Sequence, residues 1–148
     1  MPKVQLDWET EGVQFALKNN DIIVIVDTLR YSSTAITAIA NGFVIYPSSD
    51  MEQGKIFAAS IGAEMSGKTG EAKFSLSPIS FVEARDNEIK KVVLYSPNGA
   101  ACSELVKNAD YAFLGALLNA KVVGEKITEL ALKTGHNITL VAAGEQRA

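Results

Sequence analysis

The chain has 148 residues, 47% hydrophobic and 21% charged, with a formal net charge of -3 and one Cys. That balance argues for a folded globular core and against disorder. Scattered Lys and Arg argue against a nucleic-acid partner, one thiol rules out an internal disulfide, and no apolar run is long enough to span a bilayer.

The first apolar stretch, Lys3 to Leu6, reads as an edge strand, and Gly12 to Lys18 as a weak helix. No apolar signal core is visible near the start, so a cytoplasmic protein without a membrane partner is expected. Ile22 to Val26 is a continuous β-branched run, the pattern of a strand buried on both faces. After it, Ala35, Ile36, Ile39 and Ala40 recur at helical spacing; Ser32 or Ser33 is the expected cap and Asn41-Gly42 the stop. Phe43 to Tyr46 reads as a second strand. Asp50 is placed to cap a helix from Met51 that Gly62 closes.

Ala63 to Pro78 is rich in Gly, Ser and Lys and reads as a loop with one short strand; Ile79 to Ala84 has a helical character. The strand–turn–helix unit then returns twice. Val92 to Tyr95, Ser96-Pro97-Asn98-Gly99 and the helix from Ala100 form one. Tyr111 to Leu114, Gly115 and a helix from about Asn119 to Lys133 form the other. Ile138 to Ala142 reads as the last strand. Such alternation predicts an α/β fold, a three-layer α/β/α sandwich with a mostly parallel central sheet. No repeat or linker divides the chain, so a single domain over 1–148 is expected.

Ligands of such sheets sit beyond the carboxyl ends of the strands. That rule selects Asp27, Arg30, Ser32, Ser33 and Thr34, then Ser96, Asn98 and Gly99, then Gly115 and Asn119, and finally Gly144 and Glu145. Helix N-termini and an Arg fork suit an anion, and Asp is a hard oxygen donor of the kind magnesium takes. Each residue also has an ordinary reading. Asp27 fits a turn, Ser33 and Thr34 fit caps, and Asn98-Gly99 fits a tight turn. Cys102 reads as a small buried side chain, and His136 lies at the wrong end of its strand for the site. Gly62 to Thr69 spells a P-loop letter for letter, but a helix precedes it and no helix start follows, so nucleotide hydrolysis is rejected.

Val26 to Thr34 (VDTLRYSST) resembles the D-V-L-R-A-T-S-T signature of the 2-phosphosulfolactate phosphatase family. Ala40-Asn41-Gly42, Leu76-Ser77-Pro78, Ser96 to Gly99, Gly115 to Ala120 and Ala142-Ala143-Gly144 are similar to further family segments, in family order. The resemblance implies magnesium-dependent hydrolysis of a phosphate monoester, 2-phospho-3-sulfolactate to 3-sulfolactate, a step of coenzyme M synthesis. It implies Asp27 as magnesium ligand or nucleophile and Arg30 as holder of an acidic group. Ser33, Thr34, Ser77, Asn98, Gly99 and Asn119 become substrate contacts, and Glu145 a second metal ligand. Gly67-Lys68-Thr69-Gly70 differs from the family's G-E-R-G, and the acidic segment and helices that follow in the family are expected to be missing after Gly144. The alternative is thus a non-catalytic relative that binds an anionic metabolite or a partner subunit. Self-association is a further expectation.

Overall fold

The computed structural model describes residues 1–144. Seven strands alternate with six helices among them. In chain order these are β1 (Val4–Trp8), α1 (Glu9–Lys18), β2 (Ile22–Val26), α2 (Tyr31–Ala40), β3 (Val44–Ser48), α3 (Met51–Ile61) and β4 (Glu64–Met65). Then follow α4 (Pro78–Glu83), β5 (Lys91–Tyr95), α5 (Gly99–Leu105), β6 (Ala112–Gly115), a 3-10 turn (Leu117–Asn119), α6 (Ala120–Thr134) and β7 (Ile138–Ala142). The expected α/β class is what forms, and every strand pairing is parallel.

The strands divide between two sheets. One has the order β1-β7-β2-β6 and the other β3-β5-β4. The second sheet comes wholly from the excursion between β2 and α5. Helices α2 and α5 touch strands of both sheets, so the two apolar clusters on their flanks share Leu114.

β2 shows why its sequence has no polar alternation. Ile23 and Ile25 pack with Val13 and Ala16 of α1 and Cys102 of α5. Ile22 and Val24 pack on the opposite face with Ile127, Leu130 and Ala131 of α6. A strand covered on both sides has no position to give to water.

Local signals mostly land as expected. Asp50 accepts the Gln53 N–H at 2.8 Å, and Gly62 ends α3 in the left-handed conformation at φ 64°. The expected Ser32 or Ser33 cap does not form, because α2 begins earlier and both serines lie inside its first turn. Ser32 instead uses its hydroxyl to receive the Asp27 N–H at 3.0 Å. The P-loop-like letters fold as the end of α3, then β4, then a segment in which Gly67 bridges to Ser75. No helix begins behind Lys68 until Pro78, so no helix N-terminus meets a phosphate there. Among the described residues no helix is long and apolar enough to cross a membrane.

Candidate functional site

The register of the first sheet sets Trp8, Ala142, Val26 and Gly115 in one row at its carboxyl edge. The next residues along each strand, Glu9, Ala143, Asp27 and Ala116, therefore line one rim. Asp27 stands at the centre of that rim and is half-buried. Burial pushes its carboxyl above the ordinary value of 3.8, and the nearby backbone N–H groups of Tyr31, Arg30 and Gly99 lower it in partial compensation. The carboxylate thus lies close to the starts of both α2 and α5.

That junction depends on Gly99. A Cβ there would lie 2.3 Å from Cδ1 and 2.4 Å from Cγ of Tyr31. Tyr31 is only 2% exposed and cannot step aside. Its hydroxyl is pushed up to about 12, first by burial. Ser96 secures the same turn, since its Oγ receives the Gly99 N–H at 3.1 Å and the Asn98 N–H at 3.4 Å.

Arg30 is exposed, and its guanidinium makes no hydrogen bond or ion pair among the described residues, so it is available to solvent at the start of α2. The peptide between Leu29 and Arg30 is cis. Asn98 is half-buried and its amide forms no hydrogen bond among the described residues. Asp27, Arg30, Asn98 and Gly99 are thus one group around the two helix starts. The other sequence candidates sit differently. Ser33 donates to the Thr28 carbonyl at 2.6 Å, and Thr34 is fully buried one turn into α2, with Oγ1 unpartnered. Ser77 precedes α4, which packs against α2, and its carbonyl accepts the Ser80 hydroxyl at 2.7 Å. Asn119 braces the turn before α6: its Oδ1 receives the Ala116 N–H at 2.8 Å and its Nδ2 reaches the Leu114 carbonyl at 3.0 Å. A structural role accounts for that side chain. Glu145 lies outside the described residues.

Sequence reasoning missed Glu9. This residue opens α1 at φ 58°, and its side chain fills the space where a Cβ on Gly144 would sit, 2.6 Å from Cγ. The signal was available, because Trp8-Glu9 is another strand-to-helix junction at the same edge. Treating the first strand as a mere edge hid it. Glu9 and Asp27 act together on Cys102, whose thiol burial pushes up to about 11, with Asp27, Glu9 and Glu11 raising it further. A thiol so held is inert, as its sequence position suggested. His136 precedes β7 at the far, amino end of the sheet and packs its ring against Tyr111. Among the described residues no three His, Cys, Asp or Glu side chains gather as a metal cluster.

The family model described as 2-phosphosulpholactate phosphatase matches residues 9–148. The chain belongs to this family. Three curated members of the 2-phosphosulfolactate phosphatase family illustrate the likeness, each named a probable 2-phosphosulfolactate phosphatase. The one from Carboxydothermus hydrogenoformans is 31% identical over 125 residues, 78% of this chain and 51% of its own. That from Caldicellulosiruptor saccharolyticus is 32% identical over 132 residues, 83% and 54%. That from Clostridium beijerinckii is 25% identical over 151 residues, 96% and 61%. The chain therefore spans about half to three-fifths of the length of these relatives.

Proposed function

We propose that the protein hydrolyses a small anionic phosphate monoester, with 2-phospho-3-sulfolactate as the substrate and 3-sulfolactate and inorganic phosphate as the products. The observation that carries this reading is the Asp27 carboxylate, half-buried at the strand end close to the starts of α2 and α5, with the exposed Arg30 at the start of α2. The substrate brings phosphate, sulfonate and carboxylate. Arg30 offers a planar fork that fits any of them bidentately. The free Asn98 amide adds a neutral donor beside it. Ser33 reaches the same rim once its hydroxyl leaves the Thr28 carbonyl. Water supplies the oxygen that replaces the ester oxygen on phosphorus, and its protons leave with the sulfolactate hydroxyl and the phosphate.

Magnesium fits the donor set, because that ion commonly takes one or two carboxylates, with water and substrate oxygens completing its shell. Asp27 is the residue that would hold it. Once bound, it would offset charge on the phosphoryl oxygens. The residues of the chain then orient the substrate: Arg30 fixes the acidic end and the helix starts face the phosphoryl group. By the same reading the reaction belongs to coenzyme M synthesis in the cytoplasm.

The test is phosphate release from 2-phospho-3-sulfolactate and from an aryl phosphate, with and without magnesium, for the protein and for Asp27→Asn. Turnover that needs magnesium and falls at least about a thousandfold in the variant, in keeping with loss of a residue at the reacting centre, supports the proposal. Full activity in Asp27→Asn refutes the site. Calorimetric binding of the substrate without any phosphate release would leave a binding protein in place of an enzyme.

A further inference from the structure

The crossovers of the first sheet leave part of one face uncovered among the described residues. Steps from β1 to β2 and from β2 to β6 run in one direction across the order β1-β7-β2-β6. Their helices, α1 and α5, lie on one face of the sheet. The step from β6 back to β7 runs the other way, and its helix, α6, lies on the opposite face. This is the consequence of crossovers of a single hand.

Among the described residues only α6 covers that second face, and it sits over β2 and β6. The register pairs Val4 with Ile138, Leu6 with Leu140 and Trp8 with Ala142, so the three β1 side chains point to the α6 face. They are 66%, 56% and 57% exposed. A parallel strand with a bare apolar face is unusual, since such sheets are covered on both sides. An apolar recess of about 290 Å³ continues the strip beneath α6, lined by Leu140, Val24, Val26, Ala116, Leu117 and Val123 among others. β1 also has no partner along its outer edge among the described residues.

A strand added beyond β1, after β7, would continue in the direction of the last crossover. The same hand would then place its connecting helix on the α6 face, over Val4, Leu6 and Trp8. The relatives carry the material for such a unit, as nearly half of the Carboxydothermus hydrogenoformans chain lies outside the match. We propose that this strip seats an amphipathic helix, followed by a strand that pairs with the free edge of β1. Polypeptide of the kind that makes up the unmatched part of the relatives supplies both.

Trp8 is the sole tryptophan and reports directly on the strip. The unmatched part of the Carboxydothermus hydrogenoformans relative is co-expressed with this chain, and the pair is examined by light scattering and tryptophan emission. A one-to-one complex with blue-shifted Trp8 emission is expected. Leu6→Asp weakens it at least tenfold, whereas Leu132→Asp leaves it unchanged, since Leu132 is 70% exposed and lies outside the α6 cluster that faces the sheet. A fusion of the same segment behind Ala148 removes any dependence on its solubility alone, and there Trp8 becomes protected from acrylamide quenching. Trp8 left accessible in both the mixture and the fusion overturns the proposal. So does a homodimer of this chain alone with blue-shifted Trp8, which assigns the strip to a second copy.

Discussion

Replacing Gly99 by Ala tests the junction on which the site is built. The new methyl would sit 2.3 Å from Cδ1 of Tyr31, about 1.2 Å short of an ordinary carbon contact of roughly 3.5 Å. Tyr31 is boxed into the cluster of Ala35, Phe74, Phe81 and Leu94, so α5 must shift instead. Overpacking of this kind costs about 3 kcal/mol, at the upper end of its usual range. Better helix propensity of Ala returns about 1 kcal/mol. The net loss of about 2 kcal/mol lowers the melting temperature by roughly 4–8 °C for a chain of this size. Circular dichroism melts measure it. Gly124→Ala is the control, because nothing lies within 4 Å of a Cβ there and the residue is inside α6. That variant gains about 0.5–1 kcal/mol. On the proposed function, phosphatase turnover in Gly99→Ala should fall by about a hundredfold, since the start of α5 moves relative to Asp27. A Gly99→Ala protein that melts at or above the parent temperature refutes the close-approach argument.

Three further outcomes are expected. Asn119→Ala strands the Ala116 N–H and the Leu114 carbonyl, and urea unfolding should show a loss of about 1–3 kcal/mol. Cys102, with its thiol pushed up to about 11, should react with a disulfide reagent at pH 8 only as fast as the protein unfolds; rapid labelling of the folded protein contradicts its burial. Asp27 has its folded value raised above 3.8 by burial, so folding favours the protonated acid. Its contribution is greatest in acid and is lost as pH rises from 3.8 through the folded value. The stability of the protein relative to Asp27→Asn should decline across that window, and an increase with pH contradicts it.

Much of the architecture was legible because period and punctuation agreed. The run IIVIV could only be a strand buried twice, and Asp50 and Gly62 marked both ends of α3 by cap chemistry. The rim position of Asp27 followed from the strand end alone. The split into two sheets was not legible, since it depends on which strands find hydrogen-bond partners at long range. Nor was the role of Asn119, whose amide is spent on backbone groups three and five residues earlier that no pattern singles out. Ser32 misled for a simple reason. A hydroxyl ahead of an apolar helix signals a cap, yet here it receives the amide of Asp27 from inside the first turn. Gly99 was legible as a turn residue, but the ring it must clear belongs to Tyr31, far earlier in the chain.

Among the described residues β1 joins its sheet only through β7, whose side chains meet it across 134 positions of sequence. β3, β4 and β5 find one another within the stretch from Val44 to Tyr95. During synthesis the second sheet can therefore zip up while the opening strand still waits for its neighbour to leave the ribosome. Long-separation pairing is slow, so assembly of the rim, which needs the ends of β1, β7 and β2 side by side, comes after the second sheet has formed.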